Sequence, residues 1–214
     1  MQLKIKICGL KTPELVDVAI EAGADLIGFV NFAKSPRHLE LDQIGKLIEH
    51  VGTRAETVIL TVNPENAQIE LLNALRPHYI QLHGGESVER VKEIKELAHS
   101  RLIKALPVAT EDDLGEVAAF DQLVDLVLLD AKPPKDSDIP GGNGEVFDWS
   151  VLKALDPSIR FMLSGGLDID NVADAIKQIQ PYAIDVSSGV ERARGEKDAE
   201  KIRRFISRAT IASV

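Results

Sequence analysis

Apolar segments recur along the chain, and each is followed by a segment in which apolar and charged positions repeat with a helical period. Thr57–Val62 and Leu123–Asp130 are largely apolar runs, which is typical of parallel strands covered on both faces. Val88–Ala98 instead places apolar residues at i, i+3, i+4 and i+7, the pattern of an amphipathic helix. The predicted strands are Leu3–Ile7, Ala24–Val30, Thr57–Val62, Tyr79–His83, Arg101–Leu106, Leu123–Asp130, Arg160–Ser164 and Tyr182–Ser188.

This regular alternation predicts the fold class. Most strand starts lie about 22 residues apart, the period of a strand followed by a helix. Eight such units without a linker favour an α/β fold, a (β/α)₈ TIM barrel of eight parallel strands that forms one catalytic domain over residues 1–214. Capping side chains predict helix N-termini at Thr12, Asn63, Ser87, Thr110 and Asp170.

Two intervals exceed the common period, by roughly 11 and 15 residues. In both, the surplus follows a strand and precedes a helix, at Asn31–Leu41 and at Ala131–Phe147. Loops of this kind emerge on the C-terminal face of a barrel, where barrel enzymes carry their active sites. The lengths alone therefore predict a functional site on that face.

The composition narrows the classes of partner. The formal net charge of -9 over 214 residues disfavours nucleic-acid binding, because the field repels phosphate. The apolar runs are shorter than the roughly 18 residues of a membrane span, so we expect no membrane partner. Cys8 is the sole cysteine, which fits a reducing compartment and predicts a cytoplasmic protein. The histidines lack HxH and HExxH spacing, so we expect no metal site.

Two residues at strand ends are candidates for proton transfer, Cys8 and Asp130. A lone cysteine is most often a small buried hydrophobe, and Asp130 could cap a turn or pair with Lys132. A carboxyl group between apolar walls can also act as a general acid, and a thiolate as a nucleophile or a base. On the first and sixth strands the two groups would face each other across one mouth. Spacing alone does not choose between these roles.

Three glycine-containing turns are candidates for binding phosphate, although each alone could be simple turn chemistry. Two of them follow the seventh and eighth strands, where barrels commonly bind phosphate through backbone N–H groups and a helix N-terminus. The predicted phosphate-binding residues are Gly142, Asn143, Gly144, Gly165, Gly166, Ser187, Ser188 and Gly189.

Four further residues are candidates for a place in the site or in the core. Arg37, in the first long loop, is either a solvated loop tip or a guanidinium that binds a carboxylate or a phosphate. His83 is either a hydrogen-bonded residue at a strand end or a member of the mouth. Lys104, on the fifth strand, is expected at the mouth, and Trp149 is most simply a core residue.

Short motifs that occur in order from the first strand to the eighth carry a family resemblance. They are KICGLK at 6–11, GFV at 28–30 with KSPR at 34–37, QLHG at 81–84, LLD at 128–130, GGNG at 141–144 with FDWS at 147–150, LSGGL at 163–167 and DVSSGVE at 185–191. Together they resemble the phosphoribosylanthranilate isomerase family of tryptophan biosynthesis.

The resemblance implies a cofactor-free Amadori rearrangement of a small phosphosugar substrate by a monomer or a homodimer. It implies that Asp130 is the general acid and Cys8 the general base. Arg37 would then bind the anthranilate carboxylate and the glycine turns the phosphate. His83 and Asp185 would line the substrate pocket.

One stretch departs from the family pattern, which commonly has two aromatic residues and a proline before KSPR. This chain has Asn31, Phe32 and Ala33 there, so we expect a looser loop around Arg37. Two other functions are alternatives. One is a different phosphosugar barrel enzyme, for which the strand-end ligands or additional lysines are missing from this chain. The other is a catalytically silent phosphate-binding barrel. The presence of both Cys8 and Asp130 argues against the silent barrel.

Overall fold

The structure is a computed structural model that describes residues 3–132, 141–142 and 148–213. Eight parallel strands form a closed barrel in sequence order, which confirms the predicted fold class. The strands are β1 Lys4–Cys8, β2 Leu26–Val30, β3 Glu56–Thr61, β4 Tyr79–Leu82, β5 Arg101–Val108, β6 Leu126–Ala131, β7 Phe161–Leu163 and β8 Ala183–Val186.

Helices cover the outside of the barrel and connect its strands. They are α1 Pro13–Ala22, α2 Leu41–Val51, α3 Asn66–Ala74, α4 Val88–Leu97, α5 Val117–Asp121, α6 Val172–Ile179 and α7 Ala199–Ala212. Shorter 3₁₀ segments lie at Glu111–Glu116 and at Trp149–Ala154, and a hairpin of β9 Glu191–Ala193 and β10 Glu196–Lys197 precedes α7. Among the described residues, no helix is both long and apolar enough to cross a membrane.

Alternation along the strands separates two hydrophobic cores. The larger core lies between strands and helices, while a smaller cluster that includes Val58, Ile103, Leu128 and Met162 fills the barrel. Because successive side chains of a strand point to opposite faces, Asp130 shares the inward face with Leu128. Lys104 lies between the inward residues Ile103 and Ala105 and therefore faces outward.

Some helices begin where a local capping side chain predicts, and others do not. The Thr12 and Ser87 hydroxyl oxygens accept hydrogen bonds from the first turns of α1 and α4, as predicted. Thr110 instead begins a 3₁₀ segment. The prediction at Asn63 is wrong, because α3 begins at Asn66 and Asn63 has a left-handed backbone, with φ of 47°.

The prediction at Asp170 is wrong by one residue. The N-cap residue of α6 is Asn171. The Asp168 carboxylate accepts hydrogen bonds from the Asp170 and Asn171 N–H groups, so both residues belong to the turn that precedes the helix. Trp149 opens a 3₁₀ segment and packs against the larger core.

Candidate active site

One pocket opens at the C-terminal mouth of the barrel, and most of the predicted site residues line it. Cys8, Arg37, His83, Asp130 and Asp185 lie on its wall with Gly142, Gly165, Gly166, Ser187 and Ser188. Gly189 is not part of this lining. Asn143 and Gly144 lie outside the described residues, as does the loop Pro133–Pro140.

Cys8 ends β1 and is buried against the neighbouring strand. Its register partner on β2 is Gly28, and a Cβ atom there would lie only 3.0 Å from the Cys8 Sγ. The absence of a side chain at Gly28 therefore makes room for the thiol. Burial raises the pKa of the Cys8 thiol, while the Lys6 and Lys197 ammonium groups act in the opposite direction.

Asp130 ends the inward face of β6 and is connected to β4 by side-chain hydrogen bonds. Its Oδ2 lies 3.1 Å from His83 Nε2, and its Oδ1 accepts a hydrogen bond from the Ala131 N–H. The Gln81 side-chain amide Nε2 lies 2.8 Å from His83 Nδ1. With the amide in this orientation, His83 Nδ1 accepts a hydrogen bond from the Gln81 amide, and the His83 Nε2–H donates a hydrogen bond to Asp130 Oδ2.

Gly141 lies against the side of the pocket that carries His83 and Asp130. A side chain on this residue would collide with both His83 and Asp130. The backbone at position 141 can therefore lie this close to the Asp130 carboxyl group only because the residue is glycine.

Arg37 lies at the pocket wall in a buried ion-pair cluster. Its Nε and Nη2 donate to the two carboxylate oxygens of Glu191 at 2.7 and 2.9 Å, and Nη2 also donates to the Gly142 carbonyl. The Lys197 ammonium and the Gly195 N–H bind the same carboxylate. Burial alone would raise the pKa of Glu191, but these donors, Arg37 foremost, hold it down at about 2.

The Arg37 guanidinium group is thus held in place by Glu191 and by the Gly142 carbonyl. Among the described residues, no hydrogen bond is made by its Nη1, the atom left to meet a ligand anion. Arg37 is 4% exposed, which contradicts the reading of a solvated loop tip.

The turns after β7 and β8 present backbone donors to the pocket. Within the part of the chain that the structure describes, the N–H groups of Gly165, Gly166 and Ser188 make no hydrogen bond to another residue. Gly165 and Gly166 have positive φ angles of 85° and 62°, so both occupy backbone conformations that glycine adopts readily. Consecutive N–H groups of this kind form an anion-binding concavity.

Two details of this region differ from expectation. Residues 187–190 form a turn that leads into the β9–β10 hairpin, so the described structure has no helix N-terminus there. A lysine is present instead, because Lys197 Nζ donates to the carbonyl and hydroxyl oxygens of Ser187.

The loop that carries Arg37 is also held more firmly than its sequence suggests. The Asn31 side-chain amide donates to the Leu39 carbonyl, and its oxygen accepts from the Gln68 side chain. Val30 and His38 form a bridge across the loop. Asn31, one of the residues that depart from the family pattern, therefore helps to hold this loop in place.

Sequence reasoning missed three charged residues around the mouth. Lys6, Glu191 and Lys197 are all buried beside predicted site residues. Lys6 was detectable, because the alternation in KIKIC places it on the same face as Cys8. Glu191 ends the DVSSGVE motif, but nothing in the sequence indicates that it pairs with Arg37, and Lys197 leaves no signal of either kind.

Lys104 is a predicted mouth residue that the structure places elsewhere. Its ammonium is buried outside the barrel wall, where it binds Glu86 Oε2 at 2.8 Å and the Gly84 carbonyl. It therefore supports the loop after His83 and does not line the main pocket. Among the described residues, no group of three or more His, Cys, Asp or Glu is arranged to hold a metal ion.

The closed barrel, with a thiol, a carboxyl group and anion-binding groups around one mouth, defines a (β/α)₈-barrel enzyme. The model of the N-(5'-phosphoribosyl)anthranilate isomerase family matches residues 5–208. The chain belongs to this family.

Individual relatives agree with the family match. The N-(5'-phosphoribosyl)anthranilate isomerase of Rhizobium rhizogenes is 48% identical over 206 residues, which cover 96% of this chain and 93% of the relative. Monomers of the dimeric enzyme from Thermotoga maritima match with a TM-score of 0.84 at 32% identity, covering 97% and 98% of the two chains. A phosphoribosylanthranilate isomerase in complex with reduced 1-(o-carboxyphenylamino)-1-deoxyribulose 5-phosphate has the same TM-score, identity and coverage.

Proposed function

We propose that this protein converts N-(5'-phosphoribosyl)anthranilate into 1-(2-carboxyphenylamino)-1-deoxy-D-ribulose 5-phosphate, the third step from chorismate to tryptophan, without a cofactor. The observation that carries the proposal is the placement of Cys8 and Asp130 in one pocket, three strands apart around the barrel. A carboxyl group and a thiol on separate walls suit a reaction that adds a proton at one substrate atom and removes a proton from another.

Asp130 is the general acid in this proposal. Its proton goes to the ribose ring oxygen, the bond between that oxygen and C1′ breaks, and the nitrogen lone pair forms a protonated Schiff base. His83 lies 3.1 Å from the Asp130 carboxyl and orients it toward the pocket. The close approach of Gly141 leaves little space for water beside these two groups.

Cys8 is the general base. As a thiolate it takes the proton from C2′, and the electrons of the C–H bond move toward the iminium nitrogen to give an enol. Tautomerisation of the enol then yields the ketone. Since the base must be deprotonated and burial raises the pKa of the Cys8 thiol, its charged neighbours matter for the rate.

The remaining groups bind the two anionic ends of the substrate. The Nη1 edge of Arg37, backed by Glu191, binds the anthranilate carboxylate. The N–H groups of Gly165, Gly166 and Ser188 bind the phosphate, together with Gly142, Asn143, Gly144, Ser187 and Gly189 of the three turns. Asp185 lines the pocket between the two ends.

The activity is tested by following the disappearance of phosphoribosylanthranilate fluorescence with the purified protein. We expect turnover without any added metal or cofactor. A well-folded protein that leaves the fluorescence unchanged would refute the proposed function.

The assembly and location of the enzyme are also proposals. We infer one catalytic domain over residues 1–214, working as a monomer or a homodimer in the cytoplasm, where a reducing environment would keep Cys8 a free thiol. Light scattering on the purified protein distinguishes the two assembly states, and a larger mass would contradict both.

A further inference from the structure

A lysine side chain is buried inside the barrel, directly beneath the catalytic mouth. Lys6 has no solvent exposure and is the residue two positions before Cys8 on the inward face of β1. Its Nζ donates to Asp185 Oδ1 at 2.9 Å, and the two residues are register partners on β1 and β8. The ammonium group is therefore held in one place by a neighbouring strand.

Stability does not explain this ion pair well. Removing two charges from water costs several kcal/mol each, and a buried pair is often no more stabilising than apolar residues of similar volume. The inward residues Leu128 and Met162 show that apolar side chains fill other parts of the barrel. A charge pair kept below a reactive thiol suggests a part in the chemistry.

The charged groups around Cys8 come from three elements. Lys6 lies on its own strand, Asp185 on β8 and Lys197 on β10. Burial raises the pKa of the Cys8 thiol most, and Lys6 is the largest opposing influence, ahead of the raising effect of Asp185 and the lowering effect of Lys197. Asp130 and His83 face the same pocket from β6 and the end of β4.

We propose that Lys6 is a positioning residue for the catalytic base: its ammonium group, fixed by Asp185, stabilises the thiolate form of Cys8. The fraction of enzyme able to take the C2′ proton then depends on Lys6. This inference rests on the proposed function, in which Cys8 is the base. It also gives Asp185 a role that needs no contact with substrate, namely to keep Lys6 charged and in place.

The test uses the fact that Cys8 is the only cysteine. The ultraviolet absorbance of the thiolate and the rate of alkylation by iodoacetamide therefore report on Cys8 alone. In Lys6→Met we expect the thiol titration to move upward by about 1–2 pH units, the effect of one nearby opposite charge. Alkylation and kcat/KM at neutral pH should fall about 10- to 100-fold, and both should recover as the pH is raised.

A second buried lysine provides the control. Lys104 is 2% exposed and pairs with Glu86 at 2.8 Å, but it lies outside the barrel wall. Lys104→Met should lower stability and leave the Cys8 titration in place. If Lys6→Met does not fold, Lys6→Met/Asp185→Asn removes both charges of the buried pair, and the Cys8 titration should still move upward because the ammonium group on the Cys8 face of β1 is lost.

The outcomes separate this inference from the function on which it rests. A folded Lys6 variant whose thiol titrates like that of the wild type would overturn the inference. An equal shift in Lys104→Met would overturn it as well, since the effect would then be structural. A shifted titration with an unshifted pH profile of turnover would leave the pairing of Lys6 with the thiol intact and refute Cys8 as the base.

Discussion

The two sides of the mouth, one with the proposed acid Asp130 and the other with the proposed base Cys8, are surrounded by different chemical groups. Asp130 is surrounded by groups without a permanent charge: the His83 ring, the Ala131 N–H and the glycine at position 141. Cys8 instead lies near the ammonium groups of Lys6 and Lys197 and the carboxylate of Asp185. Both sides use inward-facing ends of strands in the same barrel.

The difference follows from the direction of each proton transfer. A group that must give up a proton benefits from partners that orient it without imposing charge. A thiol that must lose a proton before it can act benefits from positive charge, because burial favours its neutral form. Since each strand end has its own neighbours, a barrel can provide both environments within one pocket.

The largest effect is expected from removing the acid. Asp130→Asn keeps the shape and the hydrogen bond to His83 but carries no transferable carboxyl proton, so we expect turnover to fall by at least about 10⁴-fold. Binding of the reduced product analogue, measured by calorimetry, should persist.

Asp113→Asn is the matched control, because Asp113 pairs at the surface with Lys132 just beyond β6. This variant should remain active. Near-normal activity in Asp130→Asn would remove Asp130 from the acid role.

Removing the base should cost about 10²–10⁴-fold, the usual contribution of a general base. Cys8→Ala is the test, and Cys8→Ser should be similarly impaired because an alcohol is hard to deprotonate. In the wild type, kcat/KM should rise with pH through the neutral range, since burial raises the pKa of the thiol and the thiolate is the active form.

That pH dependence gives the Cys8 prediction a second readout. Both Cys8 variants should lose the rising limb of the pH profile. A Cys8→Ala protein with little loss of activity would instead support the reading of Cys8 as a buried hydrophobe.

A smaller effect is expected from the residue that orients the acid. His83→Ala removes the hydrogen bond that stabilises the Asp130 carboxylate as it forms during proton transfer, and a hydrogen bond to a charged group is worth about 1.5–3 kcal/mol. We expect kcat to fall about 10- to 100-fold with little change in KM, measured by steady-state kinetics. His50→Ala, on an exposed histidine paired with Asp17, is the control. If KM rose while kcat stayed constant, His83 would be a binding residue and not an orienting one.

The sequence predicts the strand-end residues on both sides of the mouth, but it does not predict contacts between distant parts of the chain. Cys8, His83 and Asp130 end apolar strands, and the strand period placed them on one face in advance. The predicted helix start at Asn63 is wrong because the Asn63 N–H donates to the Glu86 carboxylate, 23 residues further along the chain. Distant partners of this kind are decided by packing and not by local propensity.

The ion pair between Arg37 and Glu191 could not be predicted from the sequence either. Glu191 lies 154 positions from Arg37 in the chain, and only closure of the barrel brings their side chains together. Sequence motifs thus identified most of the groups that line the pocket, while the contacts that hold those groups in place required the structure.

The smallest effect on activity is expected at this supporting cluster. Glu191→Gln leaves Arg37 with a weaker partner, so KM should rise about tenfold, or about 1.4 kcal/mol, with kcat nearly unchanged. Glu196→Gln, on an exposed glutamate of the same hairpin that pairs with Arg192, should change neither constant. A loss confined to kcat would show that Glu191 acts on the chemistry and not on the carboxylate fork.

The same variant gives a pH test of stability. The pKa of Glu191 is lowered from its ordinary value of 4.5 to about 2 in the folded protein. Its contribution is therefore fully present above the ordinary value and lost as the pH falls toward about 2. At neutral pH, urea unfolding should show the wild type more stable than Glu191→Gln by about 3 kcal/mol. The difference should shrink between about pH 5 and 2, and a constant difference across that range would mean that packing, rather than the Glu191 charge, holds Arg37 in place.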